Sequence, residues 1–203
     1  MATFLELQDA VAVETVFRAR AAETQFAPQI RLHINEAIRE YENTRFWFNE
    51  QLWTQDTEAE KEFYALPREY VRMLTLSIFS PRRELDGVSL PEIEALAPAY
   101  GIPSRYATFA SQYRLYPIPD AAYQLRLWGV RRFDPLVDDG ASNPWTTDAY
   151  DLTIEAAKAR IFSRVLHQDE DAAKCAVAAE DALRRLERQT DRRLPSTSLP
   201  GHL

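Results

Sequence analysis

The three histidines stand far apart, at 33, 167 and 202, and only the first has a useful neighbour. Glu36 follows His33 by three residues, so on a helix both side chains share a face and could supply two metal ligands. A diiron bundle needs several such pairs, and no second one occurs. The pair reads as a surface His beside a Glu. His167 falls in the last turn of an expected helix, where a partial positive charge suits the dipole. The single Cys, Cys175, has only Lys174 beside it in an Ala-rich stretch, which suits a small buried residue better than a nucleophile. Gly-x-Ser-x-Gly is absent, so there is no hydrolase elbow. Asp134, Asp138 and Asp139 near Gly140 could hold calcium, but their spacing misses the calcium-loop pattern and the closing Glu is missing. Nothing selects one pair of carboxylates for glycoside hydrolysis. No catalytic, metal or cofactor-binding residue is assigned, no cofactor is expected, and the chain reads as a non-enzyme.

Two stretches could instead make contacts. Phe46, Trp47 and Phe48, with Trp53, could stack bases or sugars, but only Arg45 accompanies them. Alternating aromatics of a strand fit a core on one face and a subunit or tail contact on the other. At the far end, Arg184, Arg185, Arg188, Arg192 and Arg193 concentrate positive charge, and Leu194-Pro195 and Leu199-Pro200 follow. Such an end is either a peptide that docks on a partner or a frayed terminus.

Composition narrows the class. The chain has 203 residues, enough to bury roughly 70% of its surface in one large domain. Its 24 basic and 31 acidic residues give −7, which argues against gripping nucleic acid with the whole surface. The five Gly, at 87, 101, 129, 140 and 201, lie too far apart for a phosphate loop. One Cys excludes a disulfide framework. Neither a signal peptide nor a membrane span is expected, because the opening carries acids and no long apolar run occurs. All but three of the basic residues are Arg, a bias that suits interfaces but also follows from a GC-rich genome.

The elements that must position these residues follow from period. Phe4, Leu7, Ala10, Val13 and Phe17 predict a helix over about 3–22; Ile30, Ile34, Ala37, Ile38 and Tyr41 predict another over about 27–44. The aromatic run and Phe63–Leu66 read as a hairpin with a long loop, inside a β region of about 46–132. Leu74, Leu76 and Ile78 alternate as a half-buried strand, and a short helix is expected at 91–97. Gln112–Tyr116 and Tyr123–Trp128 alternate around Pro117-Ile118-Pro119-Asp120, a second expected hairpin. Helices are expected at 144–167 and 169–190, the second presenting mainly Ala in its first half so that the two pack closely. The expected fold is α+β, mainly α: a helical bundle of an N-terminal helix pair and a C-terminal helix hairpin, with inserted β-hairpins. Residues 1–191 form a single domain in this reading, and 192–203 an extended tail.

The order of these motifs resembles a known family. Ile34-Asn35-Glu36-Ala37-Ile38-Arg39-Glu40-Tyr41-Glu42 runs into Phe46-Trp47-Phe48-Asn49-Glu50. Tyr64-Ala65-Leu66-Pro67-Arg68-Glu69-Tyr70, Gly101-Ile102-Pro103-Ser104-Arg105-Tyr106-Ala107 and Leu115-Tyr116-Pro117-Ile118-Pro119 follow. Asn143-Pro144-Trp145, a helix hairpin with Asp169 at its corner, and Leu186 to Arg193 close the series. The pattern is similar to the head-to-tail adaptor, or connector, proteins of tailed bacteriophages from about Phe26 onward. The resemblance implies a structural virion protein at the head–tail junction, assembled in the host cytoplasm. It implies a ring beneath the portal, usually of twelve copies, that continues the DNA channel and bears a downstream tail or nozzle protein. DNA would pass without sequence-specific binding. Portal docking would fall to Arg188, Arg192, Arg193, Leu194, Pro195, Leu199 and Pro200, and a subunit or tail contact to Phe46, Trp47, Phe48 and Trp53. Another tail or stopper component, or a peptidoglycan-degrading virion enzyme, are the alternatives.

Overall fold

The apolar steps at both ends of the chain do make helices. In the computed structural model, which describes residues 2–14 and 26–193, α1 spans Phe4–Glu14 and α2 spans Phe26–Tyr41. The first buries Phe4, Leu7 and Val11; the second buries Ile30, Ile34, Ala37 and Ile38, the expected stripe. Residues 15–22 of the expected first helix lie outside the described residues. The helix expected over 144–167 is three pieces, α4 (Pro144–Thr147), α5 (Tyr150–Ile161) and a π-helical turn (Phe162–Leu166). The first break follows from local polar chemistry. Asn143 accepts the Trp145 N–H at 2.9 Å, Ala149 leaves helical geometry, and the Thr153 hydroxyl donates to the Ala149 carbonyl at 3.0 Å. The π turn ends at His167, whose φ of 56° is left-handed. Then α6 runs over Asp169–Arg193, three residues beyond the expected end, so Arg192 and Arg193 are helical.

These helices belong to one compact unit, residues 1–49 with 133–203. Its core gathers α1, α2, α4, α5 and α6 around Trp145, Leu152 and Ile161. Polar clamps fix the entering loops. Asn35, on α2, donates to the Leu136 carbonyl and accepts the Leu136 N–H, at 3.0 and 2.9 Å. Arg31 reaches Gln8 at 3.1 Å, the Val137 carbonyl at 3.2 Å and the Asp139 carboxylate. The start of α6 departs from close packing: Ala173 and Ala176 are exposed, and a cleft of about 480 Å³ separates that stretch from α2 and α5.

Residues 50–132 form the second unit, whose regular elements are strands but for one short helix. Its strands are β1 (Glu50–Asp56), β2 (Phe63–Ala65), β3 (Tyr70–Ile78), β4 (Arg83–Glu84), β5 (Asp86–Gly87), β6 (Arg105–Phe109), β7 (Gln112–Tyr116) and β8 (Gln124–Arg131). One sheet is ordered β1-β8-β3-β4, the other β2-β7-β6-β5. Leu76, Ile78, Leu125 and Leu127 of the first sheet meet Tyr64, Tyr113 and Leu115 of the second in a shared core. Burial there, with Tyr64 nearby, pushes the Tyr113 phenol far above its ordinary value. The helix α3 (Leu90–Glu94) starts at Ser89, whose N–H and hydroxyl both donate to Glu92, at 2.7 Å each. Glu50 pairs with Val130, so the chain enters and leaves this unit on neighbouring strands, about 5 Å apart.

Two expectations are overturned here. The fold is not a mainly helical bundle with inserted hairpins; it is a mixed α/β fold, 42% helix and 24% strand, with six helices and two four-stranded sheets among the described residues. Neither expected hairpin exists. Phe46–Phe48 is a turn, β1 pairs with β8, and β2 pairs with β7. Likewise β7 pairs with β6 and β8 with β1 and β3, so the strands flanking the Pro-rich turn go to different sheets. Alternation shows that a segment is a strand and which residues share its face. The partner strand depends on contacts distant in sequence, which alternation does not encode.

Candidate functional site

Of the residues that could do chemistry, His33, Glu36 and Asp139 are held in hydrogen bonds or ion pairs, while Asp134, Asp138 and His167 are exposed. His33 Nδ1 lies 3.1 Å from Glu36 Oε2, as their spacing requires, but His33 is buried rather than on the surface. The same Glu36 carboxylate takes Arg160 at 3.4 Å and Arg164 at 3.1 Å, and Arg160 also bridges Glu40 at 2.6 Å. A carboxylate between two guanidiniums ties α2 to α5 and the π turn and has little left to offer a metal ion. Burial and the adjacent Glu40 raise the Tyr41 phenol beside this network. Asp139 is held by Arg31 and Gln8, the latter at 3.1 Å. Cys175 is half-buried on α6. Among the described residues no three His, Cys, Asp or Glu side chains are grouped to hold a metal ion. No described helix is long and apolar enough to cross a membrane.

The contact candidates do converge, in part. Phe46 is fully buried, stacked on Phe48 at 5.2 Å and edge-on to Trp145 at 5.8 Å. Phe48 meets Trp145 at 5.3 Å, and Trp47 meets Phe48 at 5.2 Å. The turn is held by Asn49, which accepts the Phe46 N–H at 2.8 Å and donates to the Thr44 carbonyl at 2.8 Å. Over this aromatic knot the Arg193 guanidinium sits 4.3 Å from the Trp47 ring. Helical geometry explains why. On α6 the buried Ala179, Ala182, Leu186 and Thr190 mark one face, and Arg193 continues that face by one more turn. Arg184, Arg188 and Arg192 recur every four residues on the opposite face, about 6 Å apart along the axis. Arg184 is partly neutralised by Glu180 and by Asp181 at 3.8 Å.

Trp53 does not join this cluster. It belongs to β1 in the other unit, where its indole donates to Glu69 at 3.3 Å. Leu194, Pro195, Leu199 and Pro200 lie outside the described residues. Periodicity alone would have paired Arg193 with the core face of α6; Trp47 as its partner carries no local signal.

These features are two folded units, Glu36 and Asp139 carboxylates held by arginines, and an arginine ridge on the outer face of α6. The chain matches the model of the SU10 adaptor protein family over residues 2–200 and belongs to that family. It is thereby a structural protein of the phage head–tail junction, in contact with other head and tail components. No curated protein matches it.

Proposed function

We propose that the chain assembles as a ring of twelve copies beneath the portal, continues the DNA channel, and receives the next tail protein. The family membership carries this reading. Portal docking falls to Arg188, Arg192 and Arg193 on α6 and to Leu194, Pro195, Leu199 and Pro200 beyond it. The support is that Arg188 and Arg192 stand on an outward basic ridge at the end of α6, with Arg193 beside it over Trp47, on a chain of net charge −7. Arginine forks suit carboxylates on a protein partner. Trp47 and Phe48, half-buried, and Trp53 in the other unit are proposed contacts with a neighbouring subunit or the tail, with Phe46 as the buried support of the first two. A channel wall must not grip phosphates, and an acidic balance meets that need. DNA passes without sequence-specific contacts.

Deleting residues 192–203 tests the dock. Sedimentation of the variant with portal-containing heads is expected to leave it in the supernatant, whereas the intact chain co-sediments. Undiminished co-sedimentation overturns the assignment.

A further inference from the structure

We propose that Trp47 holds Arg193 out of the dock until a carboxylate of the portal draws it off, so that the end of α6 carries an autoinhibitory contact. The proposal rests on the portal reading and supplies its regulation. Arg188 and Arg192 stand exposed on the outer ridge. Arg193 follows Arg192 by one residue, about 100° further round the helix. Its guanidinium lies 4.3 Å from the centre of the Trp47 ring. Among the described residues it has no carboxylate partner. The free chain therefore presents two of the three described docking arginines and keeps the third on an indole.

The two partners of that contact differ in freedom. Trp47 is half-buried and edge-on to Phe48 at 5.2 Å. Phe46 and Phe48 are braced on Trp145, and Asn49 pins the turn through the Phe46 N–H and the Thr44 carbonyl. The ring is a fixed platform. Arg193 is exposed, long, and in the last turn of α6, where the final carbonyls lack helical partners and the turn unwinds readily. The arginine is the partner that leaves. Chemistry sets the order of its two contacts. A guanidinium on an exposed ring face is held weakly. A fork to a carboxylate that docking shields from water is held more firmly. An acidic surface that engages Arg188 and Arg192 thus takes Arg193 as a third charge and breaks the ring contact.

The full chain, labelled and in trace amount, is titrated with portal-containing heads in large excess, so that each portal holds one copy and no neighbouring subunit contributes. Trp47→Leu keeps an apolar side chain against Phe48 but removes the indole face. It is expected to tighten docking about two- to fivefold, the equivalent of one exposed cation–π contact, with the circular dichroism spectrum unchanged. Arg193→Ala is expected to weaken docking, and Trp47→Leu added to it to change nothing further. In the free chain, hydroxyl-radical oxidation of Trp47, read by mass spectrometry, is expected to rise in Arg193→Ala. If Trp47 only braces the helix end, Trp47→Leu weakens docking or leaves it as it was, and either result overturns the proposal. Trp47 oxidation that does not respond to Arg193→Ala overturns it as well. Arg193→Ala that docks like the intact chain overturns the latch alone, since the deletion of residues 192–203 tests the dock separately. An intact chain that does not dock overturns both.

Discussion

At Gly129 the backbones of two strands come too close for a side chain. A Cβ there would stand 2.5 Å from the Arg72 carbonyl and 3.3 Å from the Trp53 ring, because β3 carries register irregularities on both sides of Met73, its partner. The opposing atom is main chain and has no rotamer by which to move. Gly129→Ala is expected to lower stability by about 1–3 kcal/mol, read from urea denaturation. Glu92 gives a pH-dependent counterpart. Hydrogen bonds from the Ser89 hydroxyl and N–H hold its carboxyl below the usual range. Its contribution to α3 is therefore complete above the ordinary carboxylate range and is lost as pH falls through the lowered value. Protection of the amides of residues 89–95, taken relative to their intrinsic exchange rates at each pH, is expected to fall on acidification in the intact chain. Glu92→Gln is expected to remove that pH dependence, and a variant that keeps it would assign the effect to another group.

For elements, the end of α6 is the informative case. A helix terminus with exposed arginines on one side would fray, but Arg193 lies on the Trp47 ring at 4.3 Å and closes the last turn onto the core face. Such contacts contribute about 0.5–1 kcal/mol. Arg193→Ala is expected to speed amide exchange over residues 187–193 several-fold and to leave the 50–132 unit unchanged, as read by exchange mass spectrometry. Arg188→Ala, on the opposite face, is expected to leave that exchange as it is. The contrast separates an arginine that positions the helix end from one that the helix end displays.

Taken whole, the molecule is one helical unit interrupted by one β unit. Residues 50–132 hold their own core, and entry and exit lie on paired strands, Glu50 beside Val130. An insertion of that geometry closes on itself without the flanking chain. The excised segment 50–132 is expected to fold alone, with a cooperative thermal transition and dispersed amide resonances. A collapsed spectrum without a transition would show that it needs the helical unit.

The helices were legible because their evidence is local. Phe4, Leu7 and Val11, or Ile30, Ile34, Ala37 and Ile38, declare a buried face by spacing alone. The strand character of Gln112–Tyr116 and Gln124–Arg131 was legible on the same terms, by alternation. Arginines massed near one end, and the lack of any phosphate loop, were also written in the order of residues. Tertiary structure alone decided which strand meets which. It sent β7 and β8 to different sheets, set Gly129 against Arg72, and closed Arg193 onto Trp47, residues 146 positions apart. It also buried His33 and brought Arg160 and Arg164 to the Glu36 carboxylate from another helix and turn. Period and propensity act over a few residues along the chain, whereas pairing, burial and charge neutralisation act between surfaces that only folding brings together.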